Sequence, residues 1–160
     1  MRDDSAMAFA FRAGRSDEPP GRDLLGELIA LLDEQYPGRA VKPGSVTTPD
    51  EMVAPGGQFL VGYEDERPVA IGGVRRLEDG VCEIKRMYVV PDARSRGVGR
   101  ALLKALENAA AELGYTRARL DAGPAQQHSR RLFAGTGYAQ IRCYNDNHIA
   151  DYFAEKRLTQ

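Results

Sequence analysis

Arg94-Ser95-Arg96-Gly97-Val98-Gly99-Arg100 runs straight into Ala101-Leu102-Leu103, so a turn rich in arginine and glycine feeds a strong helix. Gly97 and Gly99 lack side chains, which lets successive backbone N–H groups approach an anion closely, and the new helix N-terminus adds a favourable dipole. Arg94, Arg96 and Arg100 bring positive charge to the same turn. Upstream, Met87-Tyr88-Val89-Val90 is a β-prone run closed by Pro91; downstream, Leu102, Leu106, Ala109 and Leu113 share one helical face before Gly114. Strand, anion-binding turn and helix in that order organise the reading of everything around them.

On the N-terminal side, three β-rich runs, Gln58 to Tyr63, Val69 to Arg75 and Val81 to Val90, are separated by the polar turns Glu64-Asp65-Glu66-Arg67 and Glu78-Asp79-Gly80. Turns this short predict an antiparallel meander. Further upstream the chain predicts a first strand over Met7 to Arg12 and a loop at Asp17-Glu18-Pro19-Pro20-Gly21. A helix starts near Asp23, carries Leu24, Leu25, Leu28, Leu31 and Leu32, and stops at Pro37-Gly38. A long loop is expected from Gly38 to Gly57, with Thr48-Pro49-Asp50-Glu51 opening a short helix. On the C-terminal side come a strand at Thr116 to Asp121, a helix at Ala125 to Gly135, a strand over Tyr138 to Tyr144 and a last strand over Tyr152 to Leu158. Strand, helix and strand around the glycine turn predict a parallel crossover.

A length of 160 residues with 42% hydrophobic content suits one domain over residues 1–160. A net charge of −1 argues against a nucleic-acid binder, which needs a basic excess to neutralise phosphates. No apolar run approaches the roughly 18 residues of a spanning helix, and the N-terminus lacks the basic-then-apolar order of a secretion signal. A soluble cytoplasmic protein without a membrane partner is expected. Cys82 and Cys143 lack metal-ligand spacing and read as small core hydrophobes, so neither a disulfide nor a metal site is expected. His128 and His148 have no partner at such a spacing and read as surface or turn residues.

Arg94-Ser95-Arg96-Gly97-Val98-Gly99, preceded by Met87 to Pro91 and followed by a second motif from Gln126 through Leu132-Phe133 to Gly137-Tyr138, resembles the signature of the GNAT superfamily of N-acetyltransferases. The likeness covers roughly residues 5 to 158 and is strongest from Glu83 to Tyr138. It implies an α/β (α+β) fold: a mixed, mostly antiparallel central sheet of six to seven strands flanked by helices, with a splayed parallel strand pair at the cofactor site. It further implies acetyl-CoA as co-substrate in the gap between the fourth and fifth strands. The pantetheine arm would bond the backbone around Met87, Tyr88 and Val89. The pyrophosphate would sit on the amides of Arg96, Gly97, Val98, Gly99 and Arg100, with Arg94 among the neighbouring cations and Gln126 near the cofactor.

The same resemblance suggests roles in transfer to a primary amine, which is protonated at neutral pH and must lose a proton to attack. Glu83, in the apolar run Val81-Cys82-Glu83-Ile84 and six residues before Val89, stands where several relatives place a base, and burial is expected to raise its pKa. Its other reading is a carboxylate paired with Lys85, Arg86 or a neighbouring strand. Many relatives protonate the departing thiolate with a tyrosine of the second motif, but this chain has Phe133 there. Tyr144 is the candidate substitute, heading the polar run Tyr144-Asn145-Asp146-Asn147-His148, which reads either as a lining of the acceptor pocket or as an Asx-rich turn. Asp121, at the end of its strand, either reaches the acceptor amine or caps the next turn. Tyr138 reads as a packing aromatic.

Two functions are compatible with these residues. One is an N-acetyltransferase acting in a ternary complex of acetyl-CoA and an amine acceptor; the other is a catalytically silent acyl-CoA-binding module, motivated by Phe133. A P-loop or dinucleotide-binding protein is excluded, because no Gly-Lys-Ser/Thr follows the turn and the preceding strands read as antiparallel. Members of the family that the chain resembles often form homodimers, and strands near the C-terminus could pair between chains, so the oligomeric state stays open.

Overall fold

The computed structural model describes residues 9–38 and 47–159. Among the described residues seven strands form one sheet in the order β1-β2-β3-β4-β5-β7-β6. They are β1 (Phe9–Gly14), β2 (Gln58–Glu64), β3 (Arg67–Glu78), β4 (Val81–Val89), β5 (Arg117–Ala122), β6 (Ala139–Gln140) and β7 (Tyr152–Arg157). β1 to β4 form an antiparallel meander, β4 and β5 are the one parallel pair, and β5, β7 and β6 run antiparallel to their neighbours. The helices are α1 (Gly21–Gln35), α2 (Val98–Glu112) and α3 (Gln127–Gly135), with a 3-10 turn at Pro49–Met52 and another at Pro91–Ala93. Residues 39–46 of the expected long loop, and the first two residues of the strand expected from Met7, lie outside the described residues.

The sheet is fully buried at its centre because helices cover both faces. Leu102, Leu103, Leu106 and Ala110 of α2 join Val69, Ile71, Cys82 and Ile84 in one core, completed by Leu24 and Leu28 of α1 with Met52 and Phe59. Gly72 of β3 is required by this closeness: a Cβ there would stand 2.6 Å from Leu106 Cδ1. Beneath α2 the buried Glu107 accepts from Tyr138 Oη at 2.9 Å and from Lys156 Nζ at 3.0 Å, tying α2 to β7 and to the loop after α3. Among the described residues no helix is long and apolar enough to cross a membrane.

The strand expected over Tyr138 to Tyr144 reaches only Ala139–Gln140. Ile141 N still donates to Phe153 O of β7 at 2.8 Å, after which the chain leaves the sheet; from Asn145 onward successive Asx turns follow, Asn145 Oδ1 accepting from Asn147 N at 3.0 Å and Asn147 Oδ1 from Ile149 N at 3.2 Å.

Candidate active site

β4 and β5 stay paired for three residues only, Val81 with Arg117, Cys82 with Ala118 and Glu83 with Arg119. Beyond Glu83 they diverge, β5 remaining with β7 and β4 with β3, so a wedge opens with Glu83 at its apex. Strand β4 also carries a bulge. Ile71 faces Tyr88 and Gly73 faces Lys85, which leaves Gly72 opposite both Arg86 and Met87, and Arg86 adopts a left-handed φ of 62°. A cavity of about 440 Å³ fills the wedge, lined among others by Glu83, Lys85, Met87, Asp121, Gln126 and Tyr144.

Glu83 is 0% exposed and held on both oxygens. Arg75 Nε donates to Oε1 at 2.8 Å; Tyr144 Oη and Asn145 Nδ2 donate to Oε2 at 2.7 and 2.9 Å. Lys85 Nζ lies 4.0 Å from Oε1 and 3.8 Å from Asp121 Oδ2. Burial pushes the Glu83 carboxyl up, but Lys85, the bonds from Tyr144 and Asn145, and Arg75 together outweigh it and hold the group below its ordinary value. The expected rise therefore does not occur: Glu83 is an ionised carboxylate at neutral pH. Three donors occupy three of roughly four lone-pair sites, leaving one on Oε1. Tyr144 responds oppositely. Burial, then the neighbouring Glu83 and Asp121 charges, push its phenol well above the ordinary value, so it stays a hydroxyl donor.

Asn145 bridges the two cavity carboxylates, since its Nδ2 also donates to Asp121 Oδ2 at 2.7 Å, and Asn147 Nδ2 adds a bond at 3.2 Å. Asp121 therefore faces the cavity. In the turn that follows, the backbone N–H of Gly123 donates to Gln126 Oε1 at 2.7 Å. Tyr144 to His148 all line the cavity, and two of them form Asx turns.

At the other end of β4 the chain turns through Pro91–Ala93 and enters α2. Gly97, at φ 83°, sits at the helix start, where a left-handed backbone suits glycine. No side chain caps this end, and Ala101 N is the donor that reaches Gly97 O, at 3.0 Å. The N–H groups of the first turn, Val98, Gly99 and Arg100, are thus free to meet an anion. Arg94 Nε donates to Val89 O at 2.8 Å and its guanidinium lies over the Tyr88 ring, while Arg96 pairs with Glu64 and Arg100 is exposed. Tyr88 Oη donates to Glu27 of α1 at 3.1 Å, so its ring is held in the core. Along the cleft side of β4, backbone groups beyond Glu83 have no β5 partner. An uncapped helix start, a cationic turn and an unpaired strand edge in one line fit an extended ligand with a phosphate end, as acetyl-CoA is.

Other residues are placed as follows. Phe133 is buried and packs against Tyr138 with ring centroids 5.9 Å apart, so the second motif brings no hydroxyl to the cavity at this position. Cys82 is buried, and burial pushes its thiol up to about 12. Cys143 departs from the expected core position: it is exposed on the loop after β6, with Sγ 3.1 Å from Asn145 O. His128 and His148 are exposed. The sequence reading missed Arg75, although a charged residue on a strand this buried, between Val74 and Leu77, signals a partner. It also missed Glu51, whose Oε1 accepts from Arg75 Nη1 at 3.2 Å.

Residues 25–138 match the model of the acetyltransferase (GNAT) family. The chain is 31% identical over 127 residues to the IAA acetyltransferase of Azospirillum brasilense, covering 76% of this chain and 81% of that one. It is 33% identical over 146 residues to the aminoglycoside N(6')-acetyltransferase type 1 of Klebsiella aerogenes, covering 88% and 89%. A GNAT family acetyltransferase from Elizabethkingia anophelis, solved with acetyl-CoA bound, superposes with a TM-score of 0.65 at 14% identity over 94% of this chain and 98% of that one, a likeness of fold. Wedge, uncapped turn and family match agree, and the chain belongs to the acetyltransferase (GNAT) family.

Proposed function

We propose that the protein is an acetyl-CoA-dependent N-acetyltransferase that moves an acetyl group directly to a primary amine of a small molecule or peptide while both substrates are bound. The observation that carries this reading is Glu83, buried and ionised at the apex of the β4–β5 wedge with one lone pair free. When bound, acetyl-CoA supplies an acetyl thioester whose C–S bond breaks as the acceptor nitrogen bonds the carbonyl carbon. A backbone N–H near Val89 polarises that carbonyl, and the turn from Arg94 to Arg100 anchors the phosphate end.

The Glu83 carboxylate takes a proton from the acceptor nitrogen, directly or through one water. With that proton on Oε2 the 2.7 Å hydrogen bond reverses, so Tyr144 Oη accepts from Glu83 as it gives its own proton to the departing sulfur. An ammonium acceptor sheds two protons in all: one leaves to solvent before attack, and the second passes from nitrogen to sulfur, with both side chains returned to their starting state. Coupling the two transfers matters because a phenolate in this buried position is unfavourable.

The test is acetyl-CoA-dependent release of free thiol across polyamines, amino acids, aminoglycosides and peptides, with mass spectrometry of each positive reaction. Amine-dependent release with a product heavier by one acetyl group is expected. Acetyl-CoA binding without release from any acceptor would favour the silent binding module, for which the buried Phe133 in place of a tyrosine is the specific motive.

A further inference from the structure

Of the four carboxylates lining the cavity, the exposed Asp146 makes no ion pair among the described residues, and the other three are already matched. Glu51 and Glu83 share Arg75, Glu83 and Asp121 share Lys85, and Asn145 and Asn147 supply neutral donors. Arg86 lines the same cavity and is the cation left over. Among the described residues it makes no ion pair, and its Nε is buried without a hydrogen-bond partner, a condition rare for an arginine in a native protein.

Its placement is specific to the β4 bulge. In a regular strand Arg86 would share a face with Ile84, which packs in the hydrophobic core. The extra residue opposite Gly72 and the left-handed φ of 62° at Arg86 itself break that alternation, and Ile84, Lys85, Arg86 and Met87 all line the cavity. Long side chains seldom adopt this conformation. Burial works against the guanidinium charge there; Asp121 opposes that effect and Arg75 adds to it, leaving the group below its ordinary value.

Building on the acetyl-transfer reading, we propose that Arg86 is the anchor for a carboxylate on the acceptor, so that the substrate class is amino acids and amino-acid-like amines rather than simple polyamines or aminoglycosides. The guanidinium fork offers parallel N–H donors to one carboxylate. The amine of the same molecule then faces Glu83 and Asp121, and an acceptor carrying both charges meets a complementary site. A phosphate dianion fits less well, because Glu83 and Asp121 would repel its second charge.

The experiment compares amino acids with their C-terminal amides and with the matching decarboxylated amines, in wild type, Arg86→Gln and Arg86→Lys. It reads kcat/KM by thiol release and, separately, ligand-induced thermal stabilisation. Free acids should be preferred over amides by roughly 10- to 100-fold, the worth of a charged hydrogen-bonded pair. Arg86→Gln should bring that ratio close to one through KM, and Arg86→Lys should restore part of it. Amides or decarboxylated amines used as well as the acids, or a ratio unmoved by Arg86→Gln, would overturn the anchor while leaving acetyl transfer intact. If no amine in any form is acetylated, the transfer reading fails, and stabilisation alone decides: acids that raise the melting temperature of wild type but not of Arg86→Gln support the anchor, and acids without effect on either overturn it.

Discussion

Glu83 is the proposed base, and its environment sets its charge. Because its folded pKa lies below the ordinary value of 4.5, it contributes stability above that pH, and the contribution is lost as pH falls through the folded value. The acid limb of a calorimetric melting profile should accordingly flatten in Glu83→Gln, and an unchanged limb would show that the network does not hold the charge. Tyr144→Phe removes the 2.7 Å bond to Glu83 and the proposed proton relay, and steady-state kinetics should show kcat reduced roughly 10²-fold with acetyl-CoA binding retained. Its phenol is pushed upward, so Tyr144 should add no ionisation of its own to the pH–rate profile around neutrality. Both residues were nameable from the sequence through the motif and the polar run. The direction of the Glu83 shift was not, because it depends on Arg75, Tyr144 and Asn145, donors brought together across as many as 62 positions of the chain.

At the scale of elements, β4 and the start of α2 do most of the positioning. Gly97→Ala puts a Cβ on a φ of 83° with open space around it, so the cost is backbone strain alone, about 1 kcal/mol. A small fall in melting temperature with weaker acetyl-CoA binding by calorimetry is expected; unchanged binding would separate the turn from the cofactor. Gly72→Ala instead drives a methyl into Leu106, and denaturant unfolding should show a loss of roughly 1–3 kcal/mol. The turn and the helix were legible because glycine spacing and helical periodicity are local signals. The β4 bulge was not, since Val81 to Val90 reads as one unbroken β-rich run and the irregularity exists only in its register against β3. Nor was the shortened β6, since nothing in Tyr138 to Tyr144 marks where the chain leaves β7.

For the molecule as a whole, element order and the parallel crossover were readable, and with them the wedge that locates the site. The links that join distant parts were not: Glu107 with Tyr138 and Lys156, and Glu51 with Arg75, are side-chain meetings that a single sequence does not record. Within the sheet β4 and β5 part beyond Glu83, with an ionised carboxylate at the apex of that wedge. The most direct test of this account is the effect of Glu83→Gln on turnover with an established acceptor, set beside its acetyl-CoA affinity. The account predicts kcat lowered roughly 10²- to 10⁴-fold with acetyl-CoA Kd changed by no more than about twofold. Turnover equal to wild type in a folded Glu83→Gln protein would contradict it.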